Sequence, residues 1–358
     1  MTLSPVFRSQ AAVRLLEERG VWRRLAPHVQ GQADAVRTLY ADLREVLGSD
    51  FRAAEPHIPS ADEALRPEGL HFVQEYFFLI LFRSIFASLG VGPEKLRLYS
   101  ELNFCIKGTI TAADNLFDDQ DKSLLPLAPV SGSRFRSILQ LLAFERLLRR
   151  VLDRGQHAAL LDGAQRDAVL RALLDRMAAI GRLEGSEEGG VDDVPDPEEM
   201  VERVHRVRGG ALFALAFAAP SVLEEGALAR QFAAAEPAVA RLGTAFQIVD
   251  DLTDFEFDLG RRSHNLVTSE IFHRGTPEER DALERFRSGE PVPAGVVETL
   301  FRDSARAVLE RAYEEGRASF RALAGLGHWL EAELADPVVR AIVGLDGVAR
   351  MEALTARS

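Results

Sequence analysis

The chain has 358 residues, with 43 Lys and Arg against 55 Asp and Glu, and a formal charge of −12. That balance argues against a general nucleic-acid binder, which presents a basic surface, and the single cysteine, Cys105, excludes an internal disulfide and fits a reducing cytoplasm. With 47% hydrophobic residues the chain can bury a sizeable core, and its Ala-, Leu-, Arg- and Glu-rich stretches, free of alternating β-branched pattern, predict an all-α protein.

The N-terminal "MTLSPVFRSQAAVRLLEERG" lacks a basic start followed by an apolar core, so no secretion signal is expected. Residues 9–48 read as amphipathic helix with breaks near Gly20 and Gly31, and 53–69 as a Pro-punctuated connection. Apolar helices follow at 70–89 and 94–118. The most apolar stretch, "YFFLILFRSIF", is interrupted by Arg83 and is too short to cross a bilayer, so no transmembrane segment is expected. After a loop at 121–133, helices are predicted over 134–154 and 158–184. The acidic, Gly/Pro-rich 184–199 reads as a solvated loop, with a mobile lid as the alternative. Helices resume at 198–219, 227–257 and 298–324, with a tail helix beyond. No break resembles an interdomain linker, so residues 1–358 are read as one domain.

Two acidic stretches stand out. In "FQIVDDLTDFEFD" (246–258), Asp250, Asp251, Asp254 and Asp258 fall within roughly 100° of one another on a helix. Like charges at that spacing repel, and acids near a helix C-terminus oppose its dipole. In "TAADNLFDDQDK" (111–122), Asp114, Asp118 and Asp121 share a face, with Asn115 at its edge. Each stretch ends an apolar helical segment. All-oxygen ligands at this density suit hard divalent cations, Mg²⁺ above all, and no His/Cys set has zinc spacing. Opposed carboxylate clusters holding such ions would make a strong site for a diphosphate.

These segments resemble the trans-polyprenyl diphosphate synthases and, more broadly, the class I terpene synthases. "AFQIVDDLTDF" is similar to the second aspartate-rich motif, "DNLFD" (114–118) stands where the first lies, and "RGGALFALAF" (208–217) is similar to the Lys-Thr-Gly-x-Leu-Phe segment, with Arg208 in place of lysine. The likeness covers about residues 75–275. It implies the all-α class I isoprenoid synthase bundle, with both acidic motifs facing one deep central cavity. It further implies Asp114, Asp118, Asp250 and Asp254 as Mg²⁺ ligands, Asp251 as a supporting ligand, and three Mg²⁺ ions. Arg208 would contact the diphosphate and Gln247 would position the site. Metal and guanidinium together would stabilise the leaving pyrophosphate as the allylic C–O bond breaks, and arginine's planar fork suits phosphate oxygens. Family members are commonly dimers, so a homodimer is implied as well.

The pattern also departs from the family's. Where chain-elongating members carry a basic Gly-Lys-Arg-x-Arg-Pro stretch for isopentenyl diphosphate, this chain reads "QEYFFL" (74–79). No Arg-Arg follows the first motif, and Lys107 replaces a histidine seven residues before it. The lysine usual after the second motif is missing, with Arg261 and Arg262 as candidate substitutes. Phe78, Phe82 and Phe86 form an i, i+4, i+8 stripe at that altered stretch, and Phe213 and Phe217 make another pair. Ring faces of this kind stabilise cations, although a core stripe is the simpler reading. The sequence is therefore read as a terpene synthase that ionises and cyclises or rearranges a C15 or C20 allylic diphosphate, the small Thr109 and Ala113 leaving the cavity deep. The alternative is chain elongation with isopentenyl diphosphate, using Lys107, Lys122 and Arg83. A non-catalytic partner subunit would be expected to have lost the aspartates that this chain keeps.

Overall fold

The computed structural model of the chain describes residues 14, 16–64, 66, 70–117, 120–342 and 345–355. They are helical almost throughout; among them the sole β-type pairing is an isolated bridge between Arg52 and Leu127. They pack as two compact units. The first comprises Gly20–Leu173 and Leu215–Phe232; the second comprises Leu174–Ala214 and the chain from Ala233 on.

The first unit is built on α1 (Val21–Val46), α2 (Leu70–Ser88), α3 (Pro93–Phe117) and α4 (Ser133–His157). Glycine decides two of its contacts. The predicted break at Gly31 does not occur, and α1 runs through it. A Cβ at Gly31 would lie 2.3 Å from the Arg83 guanidinium, so the glycine makes room for that side chain. A Cβ at Gly108 would likewise lie 2.0 Å from the Phe144 ring, which lets α3 and α4 close on each other. Arg154 of α4 ties α1 and α3 together through Asp42 and Glu101, each at 2.6 Å. Phe86, Tyr99, Phe217 and Phe232 interlock edge to face, with the Phe86 ring 5.0–5.8 Å from the other three. Phe82 is 6% and Phe86 1% exposed, so these members of the aromatic stripe are core; Phe78, stacked on Phe82, is only half-buried.

A long helix α5 (Gly163–Ser186) carries the chain into the second unit. Helix α6 (Pro197–Leu223) is the one described helix long and apolar enough to cross a membrane, and 56% of its apolar window is buried within the protein. Composition had singled out the α2 stretch for that test instead. The remaining helices are α7 (Gly226–Thr253), α8 (Phe255–Arg261), α9 (Leu266–Arg274), α10 (Pro277–Arg287), α11 (Arg302–Gly325), α12 (Ala335–Ile342) and α13 (Leu345–Thr355). Ile248 and Leu252 of α7, Val267 and Ile271 of α9, Phe301 at the start of α11 and Val308 within it meet in one apolar core. The expected single helix over 227–257 is interrupted. Asp254 leaves helical geometry (φ −102°, ψ 15°), so Asp258 belongs to α8.

Candidate active site

The second acidic stretch lies wholly in the second unit. Its four aspartates take different roles. Asp251 is 2% exposed, and its Oδ2 accepts hydrogen bonds from His205 Nε2 (2.7 Å) and the Leu266 N–H (2.5 Å). Such a carboxylate orients its surroundings, and it is less free to coordinate a metal than the resemblance implies. Asp250 is half-buried and Asp254 exposed, and the Asp254 N–H donates to the Asp250 carbonyl at 2.8 Å, one turn back. These two carry the outward-facing oxygens. Gln247, expected to position the site, lies on the same turn, with Nε2 3.5 Å from both Asp250 Oδ2 and Asp251 Oδ1.

Asn265 joins the parts. Its Nδ2 donates to the Asp251 carbonyl and to Asp258 Oδ2, both at 2.8 Å, while its Oδ1 caps α9 at the Val267 N–H (2.9 Å). Asp258 is pushed up to about 8, first by burial and then by the charge of Asp251, with Asp250 and Asp254 adding to it.

Arg208 and His205 sit on α6 where Val201–Gly210 is wound as a π-helix, a form that recurs at functional sites. Gly209 makes the packing possible: a Cβ there would lie 2.5 Å from the Gly243 carbonyl and 2.7 Å from Gln247 Cβ. A Cβ at Gly243 would in turn meet the Gly209 carbonyl at 2.2 Å. The two backbones touch, which explains why "RGG" and "RLG" carry glycine. Phe213, one turn beyond Arg208, is buried with its ring 5.8 Å from Phe246.

Arg208 itself is occupied. Its Nε donates to Glu184 Oε1 (2.5 Å), and an Nη lies 2.7 Å from Glu187 Oε1. Burial works against its charge, but Glu184, Glu187 and Asp251 hold it above its ordinary value. Glu187 also accepts from His264, whose Nδ1 lies at 2.8 Å and whose backbone N–H lies at 3.1 Å. Burial would raise the Glu187 carboxyl, yet His264 and Arg208 hold it below the usual carboxylate range. The acidic segment beyond α5 is therefore anchored: the Val191 N–H donates to the Arg262 carbonyl (2.8 Å), Ser269 Oγ donates to Pro195 O (2.7 Å), and Asp192 pairs with Arg262. Arg262, a candidate for the missing lysine, is engaged there.

The first acidic stretch lies in the first unit, at the end of α3. Asp114 is exposed; Asp118 lies outside the described residues. Asn115 is buried and holds the following loop in both directions, donating to the Lys122 carbonyl (2.7 Å) and accepting from its N–H (3.1 Å). Lys107 Nζ donates to Glu75 Oε1 (2.6 Å) and to the Glu75 carbonyl, and lies 5.0 Å from the Tyr76 ring centre. Arg83 is engaged by Leu96 O (3.0 Å) and Ser100 Oγ (2.8 Å) and is lowered by burial. Sequence reasoning missed Glu75, Glu184, Glu187, His205 and Asn265, because a lone Glu, His or Asn carries no pattern until its partner is known.

Among the described residues no three of His, Cys, Asp and Glu are already drawn together as a metal-ligand group. The donor chemistry nevertheless fits a hard cation. Asp250 and Asp254 offer carboxylate oxygens a turn apart, close enough to Asp258 to raise its carboxyl.

No family model and no curated protein matches the sequence. Solved structures do. A decaprenyl diphosphate synthase from Rhodobacter capsulatus matches at 17% identity and TM-score 0.59, covering 90% of this chain and 100% of that one. A geranylgeranyl pyrophosphate synthetase from Pyrococcus horikoshii Ot3 matches at 13% and 0.58, covering 94% and 99%. The fold is that of the isoprenoid synthases. A polyprenyl synthase from Caulobacter crescentus CB15, solved with calcium and isoprenyl diphosphate, matches at 18% and 0.54, covering 90% and 98%.

Proposed function

We propose that this chain is a Mg²⁺-dependent isoprenoid synthase that ionises an allylic isoprenyl diphosphate and passes the carbocation to an acceptor. The observation that carries this reading is the grouping at the end of α7. Half-buried Asp250 and exposed Asp254 stand on the turn after Gln247, and Gln247 packs against the residue following Arg208. In the second unit the residues that would hold Mg²⁺ are Asp250 and Asp254, with Asp251 holding its neighbours in place; in the first unit the candidate ligands are Asp114 and Asp118. When bound, Mg²⁺ supplies charge neutralisation and Lewis-acid stabilisation to the departing pyrophosphate. Arg208 would bind phosphate oxygens by its planar fork, releasing Glu184 and Glu187 as it does so. His205, Asn265 and the Leu266 N–H fix Asp251, which keeps this end of α7 rigid before any substrate arrives.

Prenyl transfer is the reading the structural likeness supports, since the enzymes named above are polyprenyl and geranylgeranyl synthases. Cyclisation of a single C15 or C20 substrate is a second reading, and the Glu75–Lys107 pair favours it. Incubating the protein with Mg²⁺ and farnesyl or geranylgeranyl diphosphate, with and without labelled isopentenyl diphosphate, tests both. Pyrophosphate release is expected. Label in a lengthened diphosphate selects elongation, and an unlabelled hydrocarbon or alcohol selects cyclisation. Absence of pyrophosphate release with every allylic substrate overturns the proposal.

A further inference from the structure

Lys107 and Asp114 are seven residues apart on α3, so they lie about 10 Å apart along the axis and within about 20° of the same face. Lys107 is the cation nearest Asp114 along that face, and it is held by a carboxylate. Its Nζ reaches Glu75 Oε1 at 2.6 Å as well as the Glu75 carbonyl, and the Tyr76 ring covers it at 5.0 Å. Glu75 is 9% exposed, and its second oxygen, Oε2, is buried and accepts no hydrogen bond. The surroundings are aromatic: the Tyr76 ring lies 4.7 Å from Phe72 and 5.8 Å from Phe104.

A cation and an anion fixed at this distance present no net charge to a third group. An anionic ligand drawn to Lys107 would meet Glu75 bound to the same nitrogen, and repulsion in a low-dielectric setting is strong. The orphaned Oε2 adds to it, because that oxygen keeps negative charge which no donor quenches. An uncharged group meets neither penalty.

We propose that Glu75 is a specificity-determining residue. By neutralising Lys107 it closes the α3 face behind Asp114 to a second diphosphate, so the double bond that accepts the carbocation belongs to a molecule other than a second diphosphate, the ionised chain itself above all. In the reaction, the allylic C–O bond breaks and its electron pair leaves on pyrophosphate. The π electrons of the acceptor form the new C–C bond, and the resulting cation loses a proton to water or pyrophosphate. This inference rests on the proposed ionisation chemistry, but its test does not depend on turnover.

The test is calorimetric titration of isopentenyl diphosphate in EDTA into the wild type, Glu75→Gln, and the double variant Glu75→Gln/Lys107→Gln. Wild type is expected to bind weakly and Glu75→Gln about tenfold tighter or more, since one charge within 4 Å has been removed. The double variant should lose that gain, which a merely structural role for Glu75 would not produce. Equal affinity in the wild type and Glu75→Gln overturns the inference. Should Glu75→Gln fail to fold, the wild type decides alone: incorporation of labelled isopentenyl diphosphate into a longer diphosphate overturns the inference, and its exclusion while farnesyl diphosphate still releases pyrophosphate supports it. Loss of pyrophosphate release with an intact calorimetric difference would sink the ionisation reading and leave the role of Glu75 standing.

Discussion

Each unit of this protein holds a candidate substrate-binding cation, and each cation is neutralised by carboxylate, in two different ways. In the second unit Arg208 is met by Glu184 and Glu187. Glu184, near the end of α5, is a third exposed at its side chain, whereas Glu187, in the turn after α5, is as buried as Glu75. In the first unit Lys107 is met by Glu75, a buried residue within α2, through both its side chain and its carbonyl. A partly exposed carboxylate near a helix end, such as Glu184, can be exchanged for a phosphate at lower cost. A carboxylate fixed inside a packed helix cannot leave without disturbing that helix. The first arrangement suits a site that trades an internal anion for an external one, and the second suits a site that keeps its partner.

Removing the acids should break the comparison most severely. Asp250→Ala and Asp114→Ala should each lower Mg²⁺-dependent pyrophosphate release by roughly 10³-fold or more, with unchanged circular dichroism. Near wild-type turnover in either variant removes that residue from the metal set. Arg208→Ala should weaken calorimetric binding of inorganic pyrophosphate in the presence of Mg²⁺ by about 1.5–3 kcal/mol, the range of hydrogen bonds to charged groups. Arg208→Lys should recover part of the loss, because it restores the charge without the fork. Unchanged affinity in Arg208→Ala would place the guanidinium outside the site.

How much of this was legible beforehand depended on whether a feature was local. Helix periodicity located α2, α3 and α7 within a few residues, since apolar spacing is a property of one segment. The acidic runs were visible for the same reason; the all-α class followed from helix-forming composition, and the isoprenoid synthase bundle from the resemblance of the motifs. Three things were hidden. The stop at Asp254 is a change in backbone direction that composition does not encode. The capping box of α10, with Thr276 and Glu279 bonded reciprocally and Pro277 in the first turn, was readable in "GTPEER" but not read. The pairings of Glu75, Glu187 and His205 join residues 32 to 77 positions apart, which no local pattern reports. Gly31 is instructive from the other side. It reads as a breaker, yet it is tolerated within α1 because Arg83 occupies the space.

The buried partner of Arg208 can be tested on its own. Glu187→Gln should tighten Mg²⁺-dependent pyrophosphate binding severalfold, because Arg208 then has one competing anion fewer. It should also lower Tm, since His264 and Arg208 lose a charged acceptor worth about 1.5–3 kcal/mol. Affinity gained alongside stability lost is the pattern expected of an internal anion that substrate displaces. A fall in both would mean that Glu187 positions Arg208 for the ligand.

The smallest effect expected is in the pH dependence of the metal-free protein. Asp258 titrates at about 8 when folded, against an ordinary carboxyl value of 3.8, with burial the first cause and Asp251 the second. The sign follows from proton counting. Between the two values the folded state holds a proton that the unfolded state has released, so stability falls as pH rises from about 4 to 8 and is level beyond. Tm measured in EDTA should therefore decline across that window. Asp258→Asn should flatten the decline and raise Tm by about 2 °C or more at pH 8.5, because Asn265 Nδ2 can still donate to the amide oxygen at that position. Mg²⁺ should shrink the decline in the wild type, by neutralising the aspartates that push Asp258 up. A wild-type profile without slope, or one that rises over this range and is unchanged in Asp258→Asn, would show that neither burial nor the neighbouring acids raise Asp258.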